Sequence, residues 1–170
     1  MQAAERDDTV RRIAREGDPD RALAALFAPR EARADLLALI AFNAELARIG
    51  ERGSEPHLGA MRLQWWSDAL DKSSQGETTG HPVPDALGAA LRRRKLSRAR
   101  LDAMIDARAF DISTKIMPDR QALETYLHDT AGALFALGAE SLGARGPGLE
   151  LAAAQAGLAY GLTGLMRALP

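Results

Sequence analysis

Residues that favour β-strands are scarce along this chain. Aromatic side chains make up 5% of its 170 residues, β-branched residues are few, and Ala, Leu, Arg and Glu dominate. These four are strong helix formers, because a helix restricts their side chains little. The expectation is therefore an all-α fold. Proline, glycine and short polar residues set the breaks. They predict helices over about 3–16, 19–28, 31–52, 55–72, 83–94, 98–112, 119–143 and 147–169. Asp18 serves as an N-cap with Pro19 at the first helical position. Pro29 ends that segment, and Gly53 breaks the next. The stretch SSQGETTGHP, 73–82, reads as a polar loop.

The length points to one domain, 1–170, with enough chain for a real core. A formal net charge of -1 gives no reason to expect nucleic acid as a partner. The absence of cysteine excludes disulfides and thiol catalysis. The opening MQAAERDDTVRRIAREGDPD is charged throughout and has no apolar h-region. No apolar run approaches the roughly 20 residues that span a bilayer. Peripheral membrane contact is compatible with this pattern.

The stretch AFNAELARIGE, 41–51, carries polar residues on an otherwise apolar helix. Glu45 and Arg48 are three apart, as are Arg48 and Glu51, so an ion-pair ladder accounts for them. Glu45 and Glu51 are six apart and make a poor metal pair. In MRLQWW, Trp65 and Trp66 point about 100° apart on a helix, so one is expected in the core and the other to line a pocket or cap a lipid-facing surface. Arg62 and Trp66 have cation–π spacing. Arg108 and Asp111 form an i,i+3 pair. The three histidines lack ligand spacing, and His81 before Pro82 reads as turn chemistry. Gly157, Gly161, Gly164 and Ala168 share one helical face of small residues. Close helix packing and a cavity wall are both compatible with it.

Six segments in order carry a resemblance: DPDRALAALFAPREARADLLALIAFNAELARI, MRLQWWSDAL, HPVPDAL, MIDARAFDI, YLHDTAGALFAL and GLAYGLTGLMRALP. From about residue 18 to 170 the chain resembles the squalene/phytoene synthase family. The resemblance implies an isoprenoid synthase-like helical bundle around a central cavity. Active members join two prenyl diphosphates using Mg2+ held by two Asp-rich helices. A departing diphosphate must be neutralised, and carboxylate-held hard cations do this. Here the first Asp-rich motif falls on Ala47 and Glu51. In the second, the Gln, Asn and Asp positions have become Gly161, Gly164 and Ala168, and Arg167 remains. The small-residue face then corresponds to a wall of the synthase cavity. DPDRAL replaces the early diphosphate-contacting motif.

Within the family the chain most resembles the non-catalytic complex I assembly-factor-like subgroup, which carries a similar AFN-x-E-x-x-R segment and RLQWW. The resemblance implies a non-catalytic assembly or binding factor with no cofactor. Its alternative is a divergent Mg2+-dependent prenyltransferase. Arg48, Glu51, Arg62, Trp65, Tyr126 and Arg167 are the candidate diphosphate or cavity contacts, and Ala47, Gly164 and Ala168 the degenerate metal positions. The expected partner is a protein or a prenyl, lipid-like ligand. The expected location is cytoplasmic or peripheral at the inner membrane. Self-association through an exposed apolar face is a further expectation. GLMRALP stops in apolar helical sequence, so further residues, including the family's last helices, are expected to follow.

Overall fold

The computed structural model describes residues 3–51 and 55–168. The break expected at Gly53 and the side chain of Glu51 lie outside the described residues. The elements are α1 (Ala3–Gly17), α2 (Pro19–Ala25), α3 (Arg30–Glu51), α4 (Pro56–Ser74), α5 (Pro82–Arg94), α6 (Arg98–Ala107), α7 (Arg120–Leu127), α8 (Ala133–Ser141) and α9 (Pro147–Ala168). A π turn, His128–Gly132, joins α7 to α8. No strand occurs among the described residues, so the all-α expectation holds.

Local chemistry explains most boundaries. The Asp18 carboxylate accepts from the Arg21 amide at 3.0 Å, and Pro19 follows as the first helical residue. The Asp119 carboxylate caps α7 through the Ala122 amide at 2.8 Å. His81 caps α5, its Nδ1 accepting from the Val83 amide at 3.3 Å. Lys95 ends α5 in the left-handed region at φ 53°.

The long helix α3 is the axis of the molecule and packs against α1, α2, α4, α5 and α8. Leu39, Phe42 and Leu46 on it are fully buried. Each such side chain contributes about 1.5–3 kcal/mol through apolar burial. Asp35 is also buried, at 1% exposure, and is held by Arg93 and by Arg94 Nε at 2.8 Å from the end of α5. Two arginines on one carboxylate compensate its desolvation and pin α5 to α3.

Two predicted helices are shorter or less regular than their spacing implies. The helix expected over 98–112 ends at Ala107. Beyond it the chain tightens into i→i+3 turns, from Arg108 N–H to Ile105 at 3.1 Å through Ser113 N–H to Phe110 at 3.0 Å. This winding lets Arg108 and Asp111 meet Asn43 and Tyr126. The helix expected over 119–143 ends at Ser141 and widens into the π turn at 128–132. There Gly132 meets Gly157 of α9 backbone to backbone.

Candidate functional site

Arg48, Arg62 and Trp65 come together with Glu45, Ile49 and Trp66 around a cavity of about 120 Å³ between α3 and α4. Arg48 Nη1 donates to Glu45 at 2.6 Å, and its Nη2 lies 3.9 Å from Glu16 of α1. The Glu45–Arg48 rung of the ladder is thus formed. The tryptophans divide as their angular separation requires. Trp66 is buried, with its ring edge-on to Phe42 at 5.4 Å. Trp65 is 43% exposed and lines the cavity. Both rings stand edge-on to His81, at 5.6 and 5.4 Å. Burial between them pulls the His81 pKa below its ordinary value, against the opposing pull of Glu45 and Asp85. With Nδ1 accepting from Val83, the neutral imidazole carries its proton on Nε2.

Tyr126 lies in a second polar group, which leaves α3 at Asn43. Arg108 Nη2 donates to Asn43 Oδ1 at 3.2 Å, and its Nη1 donates to Asp111 at 2.8 Å and to the Tyr126 hydroxyl at 3.0 Å. The hydroxyl donates in turn to Asp111 Oδ1 at 2.8 Å. Burial raises the Tyr126 pKa; Arg108 opposes this and the Asp111 carboxylate adds to it. The phenol therefore keeps its proton and acts as a tie between α7 and the 108–111 turns. The Arg108–Asp111 pair was readable from spacing. Asn43 as its anchor was not, because the contact spans 65 positions.

DPDRAL, in place of a diphosphate-contacting motif, forms a third group. Arg21 pairs with Asp18, and its guanidinium lies 4.2 Å from the centre of the Tyr160 ring. The Tyr160 hydroxyl donates to Asp18 at 3.3 Å. Cation–π contact takes the place of hydrogen bonding for Arg21 Nη1, which is buried without a polar partner. Nothing in the spacing marks Tyr160, 142 positions from Asp18.

The small-residue face of α9 divides in two. A Cβ added at Gly157 would stand 2.3 Å from the Gly132 nitrogen, and one at Gly161 would stand 2.5 Å from a Leu127 methyl. These two positions are close packing. Gly164 and Ala168 are exposed, and an added Cβ at Gly164 meets nothing within 4 Å. Arg167 is exposed and lies 3.9 Å from Asp20. Neither Arg167 nor Tyr126 is among the residues that line the cavity with Arg48, Arg62 and Trp65. The described residues do not fit the cation cluster that the resemblance implies. Ala47 offers a methyl, Gly164 and Ala168 offer no donor, and no group of three or more His, Asp or Glu side chains able to hold a metal occurs among the described residues.

An all-α bundle built around α3, with Arg48, Arg62 and Trp65 lining a cavity between α3 and α4, is consistent with the frame of an isoprenoid synthase-like protein. A profile of the squalene/phytoene synthase family matches residues 14–170, and the chain belongs to that family. It is 34% identical over 158 residues to NADH dehydrogenase (ubiquinone) complex I, assembly factor 6 of Bos taurus, covering 93% of this chain and 47% of that protein. The Homo sapiens protein of the same name is 31% identical over the same shares. The Drosophila melanogaster homolog is 32% identical over 90% of this chain and 47% of its own. The chain thus spans about half the length of the curated relatives it matches. No helix among the described residues is long and apolar enough to cross a membrane.

Proposed function

We propose that this protein is a non-catalytic member of the squalene/phytoene synthase family that serves as an assembly factor for respiratory complex I. It works by binding protein partners, peripherally at the membrane that holds the complex. The observation that carries the reading is Ala47, a methyl-bearing position on α3 where the synthases need a metal-binding aspartate. Among the described residues no group of acidic side chains would hold the cations that neutralise a departing diphosphate. The relatives named as complex I assembly factors supply the direction of the proposal.

The test is turnover of farnesyl or geranylgeranyl diphosphate by the protein with Mg2+. Diphosphate release is expected to stay at the no-protein background. Clear Mg2+-dependent release would overturn the non-catalytic reading and restore the prenyltransferase one.

A further inference from the structure

A groove of about 640 Å³ opens between α1, α2 and the start of α3, away from the tryptophan cavity. Four arginines line it: Arg11 and Arg15 from α1, and Arg30 and Arg33 from α3. No acidic side chain lines the groove, and among the described residues none of the four forms a salt bridge. Arg33 Nε is bonded to the Ala28 carbonyl at 2.8 Å, which fixes the link between α2 and α3. That link and α2 present Leu23, Leu26 and Phe27, which stand 60%, 52% and 86% exposed. The chain as a whole is near neutral, with a formal charge of -1, so four unneutralised cations around one groove are a local concentration.

We propose that this face docks on an anionic phospholipid surface. The arginines take the headgroup phosphates, and Leu23, Leu26 and Phe27 enter the headgroup–acyl boundary. Charge complementarity selects an anionic occupant. The apolar residues favour a bilayer over an acidic peptide, because three exposed side chains beside the cations gain burial where hydrocarbon lies next to the phosphates. The proposal rests on the peripheral-membrane part of the reading above but can fail apart from it. Vesicle binding is measured with no complex I present, so its loss leaves the assembly role standing.

The experiment is co-sedimentation of the protein with phosphatidylcholine vesicles and with vesicles of phosphatidylcholine mixed with phosphatidylglycerol. Binding is expected to the mixed vesicles alone and to weaken with added salt. Each groove arginine near the surface is worth about fivefold in binding, so the Arg11→Gln, Arg15→Gln, Arg30→Gln triple variant should bind about a hundredfold more weakly. Leu23→Ser with Phe27→Ser should also weaken binding while leaving the helical circular dichroism unchanged, since both side chains are exposed. Equal binding to neutral vesicles would overturn the proposal. So would full binding by the Leu23/Phe27 variant, or binding to polyglutamate as tight as to the mixed vesicles.

Discussion

Replacing Gly157 by alanine puts a methyl carbon 2.3 Å from the Gly132 nitrogen, 2.4 Å from its Cα and 3.0 Å from the Ala131 carbonyl carbon. All three are backbone atoms of the π turn, so no side chain can rotate away. To restore ordinary contact, α9 must withdraw from the turn by more than an ångström, opening the seam where Ala153 is buried. Overpacking of this kind costs about 1–3 kcal/mol. Alanine returns up to about 1 kcal/mol as the better helix former. Taking the middle of the overpacking range, about 2 kcal/mol, less about 1 kcal/mol leaves a net loss of about 1 kcal/mol, which at about 2–4 °C per kcal/mol lowers Tm by a few degrees. Gly164→Ala is the control on the same helix. Its new methyl meets nothing within 4 Å, so only the propensity gain remains and Tm should hold or rise. Thermal melts of the two variants beside the parent decide the matter. A Gly157→Ala protein as stable as the parent, or a Gly164→Ala protein equally damaged, would refute the close approach of α9 to the π turn.

Asp35→Ala removes the buried carboxylate that Arg93 and Arg94 hold; both guanidiniums reach solvent, so the loss in urea titration should be about 1–3 kcal/mol, whereas an exposed pair such as Arg120–Glu124 should cost under about 1 kcal/mol. Tyr126→Phe leaves Asp111 and Arg108 without their shared hydroxyl, and stability should fall by about 1–3 kcal/mol. His81 has a folded-state pKa below the unfolded value of 6.5, so the unfolded chain takes up the extra proton first as pH falls. Its contribution to stability is whole above that value and declines as pH drops below it, at less than the one-proton limit of about 1.4 kcal/mol per pH unit. Urea midpoints of the parent and His81→Asn between neutral and mildly acidic pH should converge as the pH is lowered.

Helix order was readable because its determinants are local: Asp18 caps from within three residues and Pro19 stands at the first helical position, whereas Pro82, read as the end of a loop, opens α5 with His81 as its cap. Glu45–Arg48 and Arg108–Asp111 were readable for the same reason. What periodicity missed depends on partners far along the chain. The 108–112 turns answer to Asn43, and the π turn answers to Gly157. The clamp on Asp35 joins residues 58 and 59 apart. Of the candidate contacts, Arg48, Arg62 and Trp65 share one cavity, whereas Tyr126 belongs to the Asn43 group and Arg167 stands in solvent beside Asp20. Sequence spacing could not divide them, because it carries no information on which helix faces which. The meaning of Ala47 came from the family resemblance, since an alanine on a helix is otherwise unremarkable.

The central proposal is that this scaffold serves assembly of complex I and not prenyl transfer. Its most direct measurement is the amount of assembled complex I, resolved on native gels, in host cells deleted for the gene and in the same cells with it restored. Assembled complex should fall sharply on deletion, while its subunits are still synthesised, and recover on restoration. Unchanged complex I in the deleted cells would contradict the account.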